Sequence, residues 1–340
     1  MEKIRIEEAI GMTLGHDVTQ IIPGEYKGPR FKRGHKIRKE DIPEFLKIGK
    51  EHIFVMKFKP GVIHEDDAAL RLGRAIGGRY IDISGPSEGK VTVHSKINGI
   101  LMINLPLLHR INLLKNVVLS TLHRYTPCSP RMAVGATRII SLTAQEKQIG
   151  RVESWCQKEG PVIEILPYRR QNIGAVVTGS EVFHRRIKDS FNERIGKKIA
   201  DLGSRVVKKL VVPDEIDRIS QALLDLQAIS IDIILVTGGL SVDPDDVTRT
   251  GIRKAGTKII FYGTPILPGA MFLYGILGKK PVLGLPACVF HHNATLFDLI
   301  FPRVLSGEVL NRKEISLLGH GGFCLNCNPC HFPVCPFGKG

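Results

Sequence analysis

The sequence predicts an α/β protein with a three-layer, mostly parallel sheet in its C-terminal half and a smaller β-rich domain at its N-terminus. After residue 172, buried-strand runs alternate with amphipathic helical runs, the pattern of a parallel sheet covered by helices. Residues 1–60 instead alternate short apolar runs with turn signals such as Pro23-Gly24, which is typical of small β-rich units. The chain has 340 residues, 43% of them hydrophobic, and this composition excludes disordered and collagen-like proteins.

The N-terminal half divides into predicted elements in the following order. Acidic residues 65–67 open a helix that Gly77-Gly78 ends, since acids favour a helix N-terminus and glycine its C-terminus. Residues 79–100 alternate as strands do, and a helical stretch follows at 107–124. Further strands are predicted at 132–136 and 162–166.

The C-terminal half contains the alternating series. Its predicted strands are 173–177, 206–207 and, after a break, 211–212, then 231–236, 258–262 and 281–285; its predicted helices are 192–203, one beginning at Pro213-Asp214, and 289–305. We therefore expect four segments: a β-rich unit at 1–80, a mixed α/β region at 81–171, an α/β domain at 172–310 and a cysteine-rich tail at 311–340.

The charge narrows the classes of partner. The chain carries 48 Lys and Arg against 33 Asp and Glu, a net charge of +15, with most of the excess in the N-terminal half. A positive field attracts phosphates and other oxyanions. It also suits nucleic acid, but aromatic residues make up only 6% and no nucleic-acid module is evident, so this is the weaker alternative. No run of ~20 apolar residues and no secretory signal is evident, so we expect a cytoplasmic protein without a membrane partner.

Three loops follow predicted parallel strands, where open α/β sheets bind ligands. All three are rich in small residues: Thr178-Gly179-Ser180-Glu181, Thr237-Gly238-Gly239-Leu240-Ser241 and Leu285-Pro286-Ala287-Cys288. Small side chains let backbone N–H groups approach an anion. Glycines also simply turn tight corners, but three such loops together favour a phosphate site.

An acidic segment follows the second loop. Asp243, Asp245 and Asp246 repel one another unless a cation or a helix N-terminus offsets them, and Mg²⁺ with a substrate phosphate is the usual solution. The alternative is that Asp246 or Thr248 caps the next helix.

These residues resemble the molybdopterin-binding domain of molybdopterin molybdotransferases, the gephyrin E domain and molybdopterin adenylyltransferases. The ordered motifs span residues 172–308 and are Thr178-Gly179-Ser180-Glu181, Asp189-Ser190, Thr237-Gly238-Gly239-Leu240-Ser241-Val242 with Asp245-Asp246, Pro268-Gly269 and Gly284-Leu285-Pro286. More loosely, Gly15-His16-Asp17, Phe31-Lys32-Arg33-Gly34 and Asp41-Ile42 are similar to segments flanking that domain.

The resemblance implies insertion of molybdenum, or tungsten, into adenylylated molybdopterin with molybdate as second substrate. Asp245 and Asp246 would be catalytic and bind Mg²⁺. The residues implied to bind the pterin substrate are Thr178, Gly179, Ser180, Glu181, Asp189, Thr237, Gly238, Gly239, Ser241, Thr248, Pro268, Gly269, Pro286 and Ala287. Arg249 or Arg253 would pair with oxyanions. The resemblance also suggests a homodimer and a molybdo- or tungstoenzyme acceptor.

Some positions differ from the family pattern. Ala270 stands where the family commonly has the lysine of Pro-Gly-Lys, and Ala287-Cys288 replaces the Gly-Asn of Leu-Pro-Gly-Asn-Pro. A non-catalytic carrier or sensor that holds molybdopterin or the finished cofactor is therefore the alternative function. Cys288 with His291 and His292 suits a metal or oxyanion contact, although a small buried thiol beside solvent-facing histidines is favoured.

The tail carries the spacing C-x₂-C-x₂-C-x₄-C at Cys324, Cys327, Cys330 and Cys335. Four thiolates this close together wrap one ion or cluster without a core of their own. An iron–sulfur cluster and tetrahedral zinc both remain open, and His331 is able to replace one thiolate. Disulfides are the remaining alternative, and they are rare in cytoplasmic chains.

Overall fold

The structure is a computed structural model, which describes residues 1–56, 59–241, 243 and 246–339. Two compact units are present: residues 1–97, 102–122 and 129–165 form the first, and residues 98–101, 123–128 and 166 onward form the second. The division into four segments stays a prediction. Within the described ranges, no helix is both long and apolar enough to cross a membrane.

The strands lie in the following order along the chain. They are β1 (Glu2–Arg5), β2 (Val18–Ile22), β3 (Tyr26–Phe31), β4 (His52–Val55), β5 (Val62–His64), β6 (Ile81–Ser87), β7 (Lys90–Ser95), β8 (Gly99–Ile103), β9 (Val117–Thr121), β10 (Pro127–Cys128), β11 (Ala133–Ile139), β12 (Thr143–Gln145), β13 (Ile163–Pro167), β14 (Asn172–Thr178), β15 (Arg205–Val212), β16 (Ile233–Thr237), β17 (Lys258–Tyr262), β18 (Leu273–Leu277) and β19 (Lys280–Leu285).

The α-helices interleave with these strands. They are α1 (Ile42–Lys47), α2 (Glu65–Ile76), α3 (Leu105–Asn112), α4 (Glu146–Glu159), α5 (Ser180–Phe183), α6 (Lys197–Asp201), α7 (Ile216–Ala228), α8 (Thr248–Lys254), α9 (Leu296–Leu305) and α10 (Arg312–Leu317).

The first unit contains a four-stranded antiparallel sheet in the order β6-β7-β11-β9 and the hairpin β2-β3. Helix α2 begins where the acids predicted it. The His64 imidazole at its N-cap accepts the Asp66 N–H across 3.1 Å, and the Asp66 carboxylate accepts the Gly89 N–H across 2.8 Å. Asp66 of the acidic run thus has a structural role at this helix start.

The predicted helix at 107–124 is wrong in its second half. Helix α3 ends at Asn112, and Val117–Thr121 forms β9. Asn112 fixes the turn, because its side chain both donates to the Leu119 carbonyl and accepts the Leu119 N–H, each across 2.8 Å. The β-branched Val117 and Val118 then favour the extended chain.

The second unit is built on a six-stranded sheet in the order β15-β14-β16-β19-β18-β17. The pairs β15-β14, β14-β16 and β16-β19 are parallel. Alternate side chains of β14 and β16 face opposite sides: Val176 packs with α7 residues such as Leu223, whereas Val177 packs in the core that includes Ile300 of α9. Helices therefore cover both faces, which gives the predicted three layers.

Three details of the C-terminal prediction are wrong. Strand β15 runs unbroken through Lys208 and Lys209, because it is an edge strand on which lysines are tolerated. The predicted helix at 289–305 is a 3₁₀ turn followed by α9, which starts afresh at the Thr295–Asp298 capping box. Strand β18 was not predicted, and it pairs antiparallel with both β17 and β19.

Candidate functional site

Three neighbouring parallel strands end side by side at one edge of the sheet. Thr237, the last residue of β16, lies opposite Val177 of β14 and Leu285 of β19. The chain order reverses here, since β15 lies on one side of β14 and β16 on the other. Such a reversal leaves a crevice beyond the strand ends where open α/β sheets bind ligands.

Buried threonines join the first two of these strand ends. The Thr178 hydroxyl donates to the Thr237 carbonyl across 3.1 Å and lies 3.0 Å from the Thr248 hydroxyl. Because Thr178 has one proton and gives it to that carbonyl, the Thr248 hydroxyl is the donor in the second bond. These contacts hold β14, β16 and the start of α8 together.

The two glycines after β16 are needed for close approach. Gly238 and Gly239 have φ values of +93° and +53°, which favour glycine. A Cβ at Gly238 would lie 2.3 Å from the Thr178 carbonyl oxygen, and one at Gly239 would lie 2.5 Å from the Thr248 hydroxyl. No side chain fits between these loops at Gly238 or Gly239. The backbone of these two glycines is therefore partly exposed beyond the end of β16.

A cleft of about 520 Å³ opens beyond this edge of the sheet. Three chain segments line it: the loop after β16, the loop between β17 and β18, and the loop after β19. Its lining residues are Gly238, Gly239, Leu240, Ser241, Asp243, Asp246, Leu267, Pro268, Gly269, Ala270, Met271, Pro286, Ala287 and Cys288. Eight residues proposed from sequence lie here: Gly238, Gly239, Ser241, Asp246, Pro268, Gly269, Pro286 and Ala287.

Two carboxylates, Asp243 and Asp246, line the cleft in its described part. One carboxylate oxygen of Asp246, Oδ2, is buried and has no hydrogen-bond partner among the residues that the structure describes. Neither Asp246 nor Thr248 is the N-cap of helix α8 as the alternative supposed, because Val247 holds that position without a side-chain cap hydrogen bond. Asp245 lies outside the described residues.

Seven other predicted site residues do not line this cleft. Thr178, Gly179, Ser180, Glu181, Asp189, Thr237 and Thr248 are not among its lining residues. The Ser180 N–H donates to the Asp214 carboxylate across 2.8 Å, and Asp189 pairs with Lys209. These contacts join neighbouring segments of the second unit, and the assignment of the seven residues to a pterin site stays a prediction.

Sequence reasoning missed the apolar part of the lining. Leu240, Leu267 and Met271 flank predicted motif residues, and Leu240 was read only as part of its loop. Adjacency to a motif was the available signal. Cys288 also lines the cleft, and burial raises the pKa of its thiol, so the thiol stays protonated at neutral pH.

Arg249 does not line the cleft. Its guanidinium lies 4.7 Å from the centre of the Tyr262 ring, whose hydroxyl donates to the Leu240 carbonyl across 2.7 Å. Arg253 is not a lining residue either. In the described part of the chain, therefore, no lysine or arginine lines the cleft.

The tail cysteines line a second, smaller cavity of about 40 Å³. Cys324, Cys327, Cys330, Cys335 and His331 all line it. All four thiols are free. As the side chains are placed, no three His, Cys, Asp or Glu residues of the described chain stand close enough together to hold a metal ion.

Comparison with known families agrees with this geometry. Residues 174–306 match the family model described as a probable molybdopterin binding domain. Residues 174–306 belong to that family. Residues 3–57 match a domain of unknown function. The second unit thus carries a molybdopterin-binding domain of the molybdenum cofactor biosynthesis type. All residues that line the cleft lie within this domain.

Individual relatives resemble parts of the chain. A CinA-like protein of Citrifermentans bemidjiense is 35% identical over 88 residues, 26% of this chain and 21% of that protein. A molybdopterin molybdenumtransferase of Haemophilus influenzae is 25% identical over 150 residues, 42% of this chain and 37% of that protein. The chain therefore spans well under half the length of these curated relatives.

Among solved structures, a molybdopterin biosynthesis enzyme, MoaB, of Thermus thermophilus is similar to part of this chain. It is 19% identical, with a TM-score of 0.33, over 41% of this chain and 98% of that chain.

Proposed function

We propose that the cleft binds phosphorylated molybdopterin and that the protein inserts molybdenum or tungsten into adenylylated molybdopterin. The observation that carries this proposal is that Gly238-Gly239, Pro268-Gly269 and Pro286-Ala287 line one cleft, although they lie far apart in the chain. A molybdo- or tungstoenzyme as acceptor and a homodimer as the working form belong to the same proposal.

The cleft chemistry suits such a ligand. Ligand pockets are mostly apolar with a few convergent polar groups. Leu240, Leu267 and Met271 offer apolar surface to a flat pterin ring, while the Gly238-Gly239 backbone and the Ser241 hydroxyl offer groups to a phosphate. The family match of residues 174–306 supports this assignment.

The carboxylates fit a divalent cation. Asp246 Oδ2 is buried, and no described residue forms a hydrogen bond with it. Asp243 lines the same cleft, and no lysine or arginine is among the described lining residues. Mg²⁺ is usually held by one or two carboxylates together with substrate phosphates. When bound, Mg²⁺ would neutralise phosphate charge and act as a Lewis acid for adenylate cleavage. Asp246, Asp243 and Asp245 would hold it.

The chain's own residues would position the substrate. The Thr178–Thr237–Thr248 contacts fix the two loops, so the backbone wall at Gly238 is preformed. Preformed polar groups stabilise a charged ligand without reorganising when it binds. The apolar walls exclude water from one side of the reacting phosphate.

The test is a metal-insertion assay with adenylylated molybdopterin, molybdate and Mg²⁺. We expect Asp246→Asn to lower turnover by about 10²-fold or more, because it removes a charged group that acts on the reacting phosphate. Asp225→Asn is the matched control, since Asp225 is exposed on α7. Equal turnover in both variants and the wild type would contradict the proposed role of Asp246.

The absence of basic side chains in the described lining also favours a second function. Ala270 and Ala287 give the cleft no cation, which suits a carrier that holds molybdopterin without turnover. Tight molybdopterin binding by wild-type protein that never produces metal-loaded cofactor would establish the carrier instead of the enzyme.

A further inference from the structure

The cysteine tail has a backbone without regular structure, and its first loop contains an N–H to sulfur hydrogen bond. Residues 324–339 contain no helix or strand. Within Cys324-Leu325-Asn326-Cys327, the Asn326 N–H donates to the Cys324 Sγ across 3.4 Å, and Asn326 has a φ of +52°. An N–H group that points at sulfur stabilises negative charge on it, as is seen around metal-bound thiolates.

The four thiols share one small cavity with His331, and none has formed a disulfide. Cys327 and Cys330 are exposed, whereas Cys324 and Cys335 are half-buried. We propose that Cys324, Cys327, Cys330 and Cys335 bind one thiophilic metal centre, a zinc ion or an iron–sulfur cluster. Binding draws the sulfurs closer than they now stand, and the irregular backbone of residues 324–339 does not oppose this.

The metal centre would also hold the two loops that wall the cleft. The Cys324 N–H donates to the carbonyl of Leu267, and the Leu267 N–H donates to the Gly322 carbonyl, across 2.8 and 2.9 Å. His292 Nδ1 lies 2.9 Å from Asn326 Oδ1. Leu267 lines the cleft directly. His292 lies two residues after the 3₁₀ turn (Ala287–Phe290) that follows β19. A metal bound by the tail would therefore link the β17–β18 loop to the segment after β19 and restrict the motion of both.

This inference goes beyond the proposed function and does not rest on it, because metal content is measurable without any pterin. The first test is elemental and acid-labile sulfide analysis of full-length protein purified without oxygen. We expect a thiolate-bound metal centre in the wild type: zinc without sulfide indicates a single ion, and iron with sulfide indicates a cluster. The metal content of the double variant Cys327→Ser/Cys330→Ser should be lower than that of the wild type by about tenfold or more.

Val334→Ser is the matched control, since Val334 is an exposed residue of the same tail without a thiol, and its substitution should leave metal content unchanged. Circular dichroism of the double variant checks that its fold is intact, which we expect because both residues are exposed. Wild-type protein without metal that also fails to bind added Zn²⁺, or tail cysteines joined in disulfides, would overturn the proposal.

The second test is hydrogen exchange with and without metal. We expect loading to slow exchange about tenfold or more in peptides that cover 263–271 and 286–293, while peptides of α7 stay unchanged. Metal binding that leaves the exchange rates of both loops unchanged would overturn the proposed link between them.

Discussion

The Thr178 hydroxyl donates to the Thr237 carbonyl across 3.1 Å, which joins the last residues of two neighbouring parallel strands. This bond explains why Thr237 is absent from the cleft lining although its neighbour Gly238 lines the cleft. The two threonines fix the spacing between two loops, and the backbone of Gly238-Gly239 then faces the ligand. Buried threonine side chains thus hold the loops in place, while the backbone of Gly238-Gly239 faces the cleft.

Loss of the Thr178 hydroxyl should destabilise the protein. Thr178→Val keeps the shape but leaves the buried Thr248 hydroxyl without its acceptor, so we expect a loss of about 1–3 kcal/mol in the free energy of unfolding. Urea unfolding measures it. Thr257→Val is the control, because the buried Thr257 hydroxyl has no hydrogen-bond partner in the described parts of the chain, and its removal should be neutral or stabilising. A similar loss in both variants would contradict the role of the Thr178 contact.

A methyl group at Gly238 should force the two loops apart. Gly203 and Gly238 both have positive φ, but a Cβ at Gly203 meets nothing within 4 Å, whereas one at Gly238 lies 2.3 Å from the Thr178 carbonyl. Gly203→Ala should cost about 1–2 kcal/mol from backbone conformation alone, and Gly238→Ala distinctly more. Thermal unfolding of the pair measures the difference, and equal midpoints would argue against close contact at Gly238.

Arg303 should be essential for stability. It is 2% exposed, and it donates to Glu308 across 2.7 and 2.9 Å and to Glu314 across 3.1 Å. Arg303→Met leaves the largely buried Glu308 without its cation, for which we expect a loss of about 3–5 kcal/mol, measured by chemical denaturation.

The control for Arg303 is Lys254→Met. Lys254 pairs with Asp217, but both side chains are mostly exposed, so the change should stay within about 1 kcal/mol. An Arg303→Met protein as stable as this control would show that the buried network contributes little.

Glu65 should make the first unit less stable as pH rises. Burial, followed by the nearby Asp66 charge, raises the pKa of Glu65 to about 7 from its ordinary 4.5. Between these two values the folded state binds more protons than the unfolded state, so this contribution to stability is full at low pH and declines up to about pH 7. Glu65→Gln should remove that decline, as measured by unfolding at pH 5 and pH 8. An unchanged pH dependence would contradict it.

The sequence predicted the second unit well because its signals are strong and local. The runs around Ile173, Ile233 and Val282 are continuous and apolar, as strands buried on both faces must be. Strand β18 was not predicted, because Leu273–Leu277 follows a proline–glycine loop and has a glycine at its centre. Its short apolar run therefore shows no clear strand periodicity. The break before α9 depends on the Thr295 capping box, which a continuous apolar stretch conceals.

The candidate site was predictable as a set of loops but not as a set of lining atoms. Strand order decides which loops meet, and residue spacing places Thr178 and Gly238 near the same edge. Spacing does not say which residue faces the ligand, because that depends on contacts such as the one between Thr178 and Thr248. The pairing of Leu267 with the tail likewise joins segments that are distant in the chain.

The most direct test of the central claim is equilibrium binding of molybdopterin under anaerobic conditions to wild-type protein and two tryptophan variants. Ala287 is exposed and lines the cleft, so Ala287→Trp should fill the site and raise the Kd by about tenfold or more. Ala228→Trp, on the exposed end of α7, should bind as the wild type does. Binding that Ala287→Trp leaves unchanged, or no binding by the wild type, would contradict the account.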